Sequence, residues 1–163
     1  MLRYNQHKIL IKEIPDEISL GISISGCNIK CKDCHSKHTW NEDYGIELSL
    51  PEFYRIVYPC KKLISCILFL GGETKTELKG LIYASRSFGK KVALYSGRDL
   101  SYIRSIGLLE PSILDFIKVG YYNNELGGLD SPTTNQRLYE IKNGELNDIT
   151  YKFRRTNNRP ENT

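Results

Sequence analysis

Cys27, Cys31 and Cys34 crowd into eight positions as CxxxCxxC, and they are the residues of this 163-residue chain whose type and spacing most plainly do chemistry. Thiols at that density ligate a metal or a cluster rather than frame a disulfide network. The five cysteines are an odd number, and the first ten residues lack the apolar core of an export signal. Three thiolates hold three corners of a 4Fe-4S cluster, and no further cysteine pair follows at a recognisable spacing, so the fourth iron is left open to a small molecule. The competing reading is zinc, since Cys27, Cys31 and Cys34 with His38 make a Cys3His set and His35 is a second candidate. Cys60 and Cys66 lie in apolar contexts and read as small buried hydrophobes.

A second group follows the most apolar run of the chain. Gly71, Gly72 and Glu73 come directly after residues 63–70 (LISCILFL), and glycines there let a backbone approach a ligand closely. Ser96 and Gly97 end residues 92–95 (VALY) in the same manner.

Both groups need elements that bring them together. Residues 18–25 (ISLGISIS) alternate with period two and run into Gly26, so the cysteines begin where a strand ends. The run 63–70 reads as a strand buried on both faces, 92–95 as a third strand and 113–119 (ILDFIKV) as a fourth. Between them lie amphipathic helices over 50–58, with Pro51 in the first turn, over 74–88, and over 100–109 after Asp99 as N-cap. This βαβα order predicts an α/β fold with a mainly parallel sheet, open or curled into part of a barrel. The cysteine loop and the glycine pair then share the sheet edge where such folds bind ligands. From residue 121 onward the chain reads as loop, with one short helix over 135–141.

Composition excludes other classes. Lys and Arg number 23 against 19 Asp and Glu, and the last thirteen residues carry Lys152, Arg154, Arg155 and Arg159 against Glu161. The body is therefore near neutral, without the basic stripe of a nucleic-acid interface. No apolar run approaches the roughly 20 residues of a membrane-spanning helix. The expectation is one cytoplasmic domain over residues 1–150 and a basic, flexible tail over 151–163.

The flanks of these motifs carry a resemblance. SGCNIKCKDCHSKHTW (residues 25–40), LGGE (70–73), YSG (95–97) and GGLDSPTTNQR (127–137), in that order, resemble the activating proteins of anaerobic (class III) ribonucleoside-triphosphate reductases, in the radical S-adenosylmethionine superfamily. The resemblance implies a partial (β/α) barrel whose 4Fe-4S cluster, held by Cys27, Cys31 and Cys34, binds S-adenosyl-L-methionine at the iron lacking a cysteine. It implies reductive cleavage of that cofactor and hydrogen abstraction from a glycine of the large reductase subunit, with flavodoxin or ferredoxin as electron donor. Asp33, Cys34 and His35 match the stretch that contacts adenine, although Asp33 stands where the superfamily has an aromatic residue or glycine. Gly71, Gly72 and Glu73 match the motif that holds the amino end, and Ser96 lies beside it. Asp115 and Lys118 are placed to reach the cofactor carboxylate or ribose, and Asn135 and Arg137 to dock the reductase. Two alternatives stand beside this: a short enzyme of the same superfamily acting on a small molecule, similar to 7-carboxy-7-deazaguanine synthase, and a zinc-stabilised binding module without catalysis.

Overall fold

Each core strand ends at a glycine or a small polar residue, and that punctuation sets the architecture. The computed structural model describes residues 1–157. In chain order it contains β1 (Arg3–Leu10), β2 (Ser19–Ile24), β3 (Ile46–Glu47), α1 (Leu50–Val57), β4 (Cys66–Leu70), α2 (Glu77–Ser87), β5 (Lys91–Tyr95), α3 (Leu100–Ser105), β6 (Phe116–Val119), β7 (Arg137–Lys142) and β8 (Glu145–Asp148), with a 3-10 stretch at Thr150–Asn157. Ser49 caps α1 by accepting from the Glu52 amide, and Phe53, Ile56 and Val57 point inward. Helix α2 buries Leu78, Leu81, Ile82 and Ser85, one stripe at helical spacing. Asp99 caps α3 by accepting from Tyr102 N at 2.8 Å.

All eight strands join one sheet in the order β3-β1-β2-β4-β5-β6-β7-β8. β2, β4, β5 and β6 pair in parallel, with α1, α2 and α3 on the crossovers. The other four pairings, β1 with β2 and β3, and β7 with β6 and β8, are antiparallel. The molecule is thus an α/β protein with a mixed sheet that does not close into a barrel, and the expectation of a mainly parallel sheet is corrected. Its cause lies in the connections: β1 reaches β2 through eight residues and β7 reaches β8 through two, too few for a crossover, and the 17 residues between β6 and β7 hold no helix to carry one.

The helix over 135–141 is likewise corrected to strand β7. Leu138 belongs to the core on one sheet face, while Tyr139 and Ile141 pack on the other, which is period two. Asn143 and Gly144, both at positive φ (54° and 79°), make the two-residue turn into β8. The helix expected from residue 74 begins at Glu77, because Gly71 to Thr76 form the turn that leaves β4.

The core has two faces. Ile22, Ile67, Phe69, Leu94 and Ile117 meet the helices, with Phe53 stacked on Phe69 at 6.2 Å. Leu68, Ala93, Phe116 and Leu138 face the other way and are covered by Ile14, Ile149 and Phe153. The stretch Thr150–Asn157 is tied down by Lys152, which bonds Asp16 at 2.7 Å. The remainder of the basic tail lies outside the described residues.

Candidate functional site

Four adjacent parallel strands deliver their C-terminal ends to one cleft of about 260 Å³. β2 leads into Gly26 and Cys27, β4 into Gly71, Gly72 and Glu73, β5 into Ser96 and Gly97, and Lys118 of β6 completes the lining. Because parallel strands all run the same way, segments far apart in sequence emerge side by side.

Gly26, at φ +92°, starts the cysteine loop, and its N–H and that of Cys27 both donate to Thr39 O at 2.7 and 3.0 Å. The excursion therefore returns upon its own entry. Within it Cys34 N donates to Cys31 O at 3.2 Å, and Cys34 Sγ accepts from Ser36 N at 3.3 Å. All three loop thiols are free and half-buried, and Cys27 and Cys34 line the cleft. Among the described residues no three His, Cys, Asp or Glu side chains converge on one point. Neither imidazole completes a zinc set: His38 packs edge-on against Tyr44, and His35 Nε2 lies 3.3 Å from the Tyr122 hydroxyl. Three free thiols on one loop, two of them lining a cleft walled by glycine backbone, are ligand types suited to an iron-sulfur cluster.

Opposite the loop, Glu73 Oε1 accepts from Ser96 Oγ at 2.9 Å. Gly71 sits at φ +84° and its N–H donates to Tyr95 O at 2.9 Å. An added Cβ at Gly71 would meet only Ile24 O, at 3.9 Å, whereas at Gly72 (φ +94°) it would press on Ile24 Cγ2 at 3.1 Å. Lys118 is half-buried and donates to Gly120 O at 3.2 Å. Burial pushes its pKa down to about 8, against the opposing pull of Cys31, Glu73 and Cys27.

Other expected site residues lie elsewhere. Asp115 lies outside the cleft lining: it bridges Arg86 at 2.8 Å and accepts from Val92 N at 2.7 Å, three residues and about 10 Å of strand from Lys118, toward the opposite end of the sheet. The Asp33 and His35 side chains are exposed and face the loop over residues 121–125 rather than the cleft. Asn135 Nδ2 donates to Tyr121 O at 2.9 Å, and Arg137 Nη1 donates to Thr134 O and Gln136 O, so both hold their own segment in shape. Sequence reading missed Thr39, which staples the loop, and Arg98, which bonds Asn28 across 70 residues. Nothing local marks either one; Asp99 as helix cap only places Arg98 at a strand-to-helix turn.

The fold and the cleft define an α/β protein built to present a cysteine loop at the ends of parallel strands. A family model described as a 4Fe-4S single cluster domain matches residues 18–129, more than half of the chain, and the chain belongs to that family. No curated protein and no solved structure matches it. Among the described residues, no helix is long and apolar enough to cross a membrane.

Proposed function

We infer that the chain is a radical S-adenosylmethionine enzyme that activates the large, glycyl-radical subunit of an anaerobic ribonucleoside-triphosphate reductase. One observation carries the reading: the cysteine loop, the Gly-Gly-Glu turn and the Ser-Gly turn, which match that family's motifs in order, line a single cleft. The parallel strands β2, β4, β5 and β6 correspond to the core of a partial barrel.

Cys27, Cys31 and Cys34 would hold the 4Fe-4S cluster. When bound, the cluster would supply the electron for reductive cleavage of a carbon-sulfur bond of S-adenosyl-L-methionine, the chemistry needed to remove a hydrogen atom from a glycine of the reductase. Gly71 leaves the wall beside it open to the methionine end. Glu73, held through one oxygen by Ser96, keeps the other for an ammonium group. Lys118 supplies a donor for a carboxylate. The electron comes from a small redox protein such as a flavodoxin or ferredoxin. The reductase closes the cleft from outside, against the segment that begins at the exposed Tyr121.

Anaerobic incubation of the reconstituted protein with S-adenosyl-L-methionine and dithionite should yield 5'-deoxyadenosine. With the reductase subunit present, a glycyl signal should appear by electron paramagnetic resonance. A protein that binds zinc in place of iron and leaves the cofactor intact would overturn the reading. Cleavage without a glycyl signal would favour a small-molecule substrate.

A further inference from the structure

At the end of β5 stands an arginine that the cofactor reading leaves without a task. The Arg98 N–H donates to Ser96 Oγ at 3.0 Å and its carbonyl accepts from Gly120 N at 2.9 Å, so its main chain is fixed to β5 and to the end of β6. Its side chain turns toward the cysteine loop. Nη2 donates to Asn28 Oδ1 at 2.7 Å, the guanidinium carbon lies 4.9 Å from the Tyr102 ring centre, and Nε is buried without a partner. Beside it, Gly97 has no Cβ where Ile29 packs: an added one would stand 2.6 Å from Ile29 Cδ1.

Asn28 and Ile29 are the two residues after the first cysteine. Among the described residues, the Arg98 contact is the one hydrogen bond from the sheet to residues 27–34. The others run within the loop or to Ser36 and Thr39 of the same excursion. Asn28 and Lys30 are exposed, and Lys30 holds a positive φ of 51°. Such a loop buries little and loses much freedom on ordering, so a few anchors decide its position.

We propose that Gly97 and Arg98 form a seat for the cysteine loop, with Arg98 as a positioning residue that acts through Asn28. Gly97 receives Ile29 as an apolar plug, and Arg98 locks the neighbouring residue with a charge-assisted hydrogen bond. Together they keep Cys27 at the cleft mouth. The proposal rests on the reading that Cys27, Cys31 and Cys34 hold the cluster.

The test is the anaerobic rate of iron loss from the reconstituted full-length protein to a ferrous chelator, with thermal midpoints measured alongside. Arg98→Met and Asn28→Ala should each speed iron loss about three- to tenfold, the factor for loss of one such bond at a half-exposed site. The double variant should lose iron no faster than either single one, and the thermal midpoints should stay at the wild-type value. Arg98→Lys, which keeps a cationic donor within reach of Asn28, should recover most of the retention, and Gly97→Ala should lose it by expelling Ile29. Wild-type rates in Arg98→Met and Asn28→Ala, or additive effects in the double variant, would overturn the seat while Cys31→Ser still loses its iron. Full iron retention in Cys31→Ser would instead remove the ligand reading, and the seat with it.

Discussion

Ser96 Oγ donates to Glu73 Oε1 at 2.9 Å, joining the turns that leave two neighbouring parallel strands. Ser96 is 2% exposed, so the bond is made in a desolvated place and fixes how a carboxylate is presented at the cleft. Ser96→Ala removes this bond and the one its Oγ accepts from Arg98 N, and should lower stability by about 2 kcal/mol in urea denaturation, roughly 1 kcal/mol for each. It should also weaken S-adenosyl-L-methionine binding several-fold by calorimetry; unchanged affinity would mean that Glu73 needs no such orientation.

Cysteine chemistry should divide along the fold. Serine at Cys27, Cys31 or Cys34 should lose most bound iron, while Cys60→Ser and Cys66→Ser should retain it. Burial pushes the Cys66 thiol up to about 12. Iodoacetamide at pH 8 should therefore label the loop thiols of the metal-free protein and spare Cys66, as peptide mass mapping would read out.

The glycine pair should respond unequally. Gly71→Ala meets only Ile24 O, at an ordinary contact distance of 3.9 Å, and should cost about 1–2 kcal/mol, the strain of a left-handed backbone alone. Gly72→Val adds to the same strain a contact with Ile24, so it should cost more and act on the fold before it acts on any ligand. Denaturation midpoints of the two variants would rank them.

Acid should release one clasp. Glu52 accepts from Arg55 Nε at 2.7 Å and from the Tyr4 hydroxyl, and these hold its carboxyl down to about 2, against 4.5 for the free group. A carboxyl whose folded pKa lies below its unfolded one contributes stability that is complete above the unfolded value and drains as pH falls toward the folded one. The stability gap between wild type and Glu52→Gln should thus be full at pH 6 and narrow between pH 4.5 and 2, measured by denaturation at each pH.

Parts of this molecule were legible before any coordinates. The apolar strand β4 with its closing glycines, the alternation in β2 and the Asp99 cap placed the parallel core and brought the cysteine loop and Glu73 to one edge. β1 escaped notice because Gln6 to Ile9 are exposed and their pairing with β2, not burial, makes them a strand. In β7, Leu138 and Ile141 are three apart and mimic a helical stripe. The Asn143–Gly144 pair just beyond was the signal for a hairpin, and it outweighs that spacing. Asp115 and Lys118 sit on one strand run, yet a strand has two ends, and sequence alone did not say which of them faced the cleft. The Arg98 and Asn28 pairing depends on tertiary folding across 70 residues, which no local pattern encodes.

The sheet ends at β3, two residues long, and at β8, four residues that include the exposed Glu145, Asn147 and Asp148. β3 covers only Arg3 and Tyr4 of β1, and the rest of that rim carries a register break between Tyr4 and Gln6 and the exposed His7 and Lys8; an irregular basic rim on one side and an acidic one on the other are poor templates for a foreign strand to extend the ladder. Self-association through edge-to-edge pairing is disfavoured accordingly. The end of the sheet where the cysteine loop opens is thereby left as the approach to the cleft.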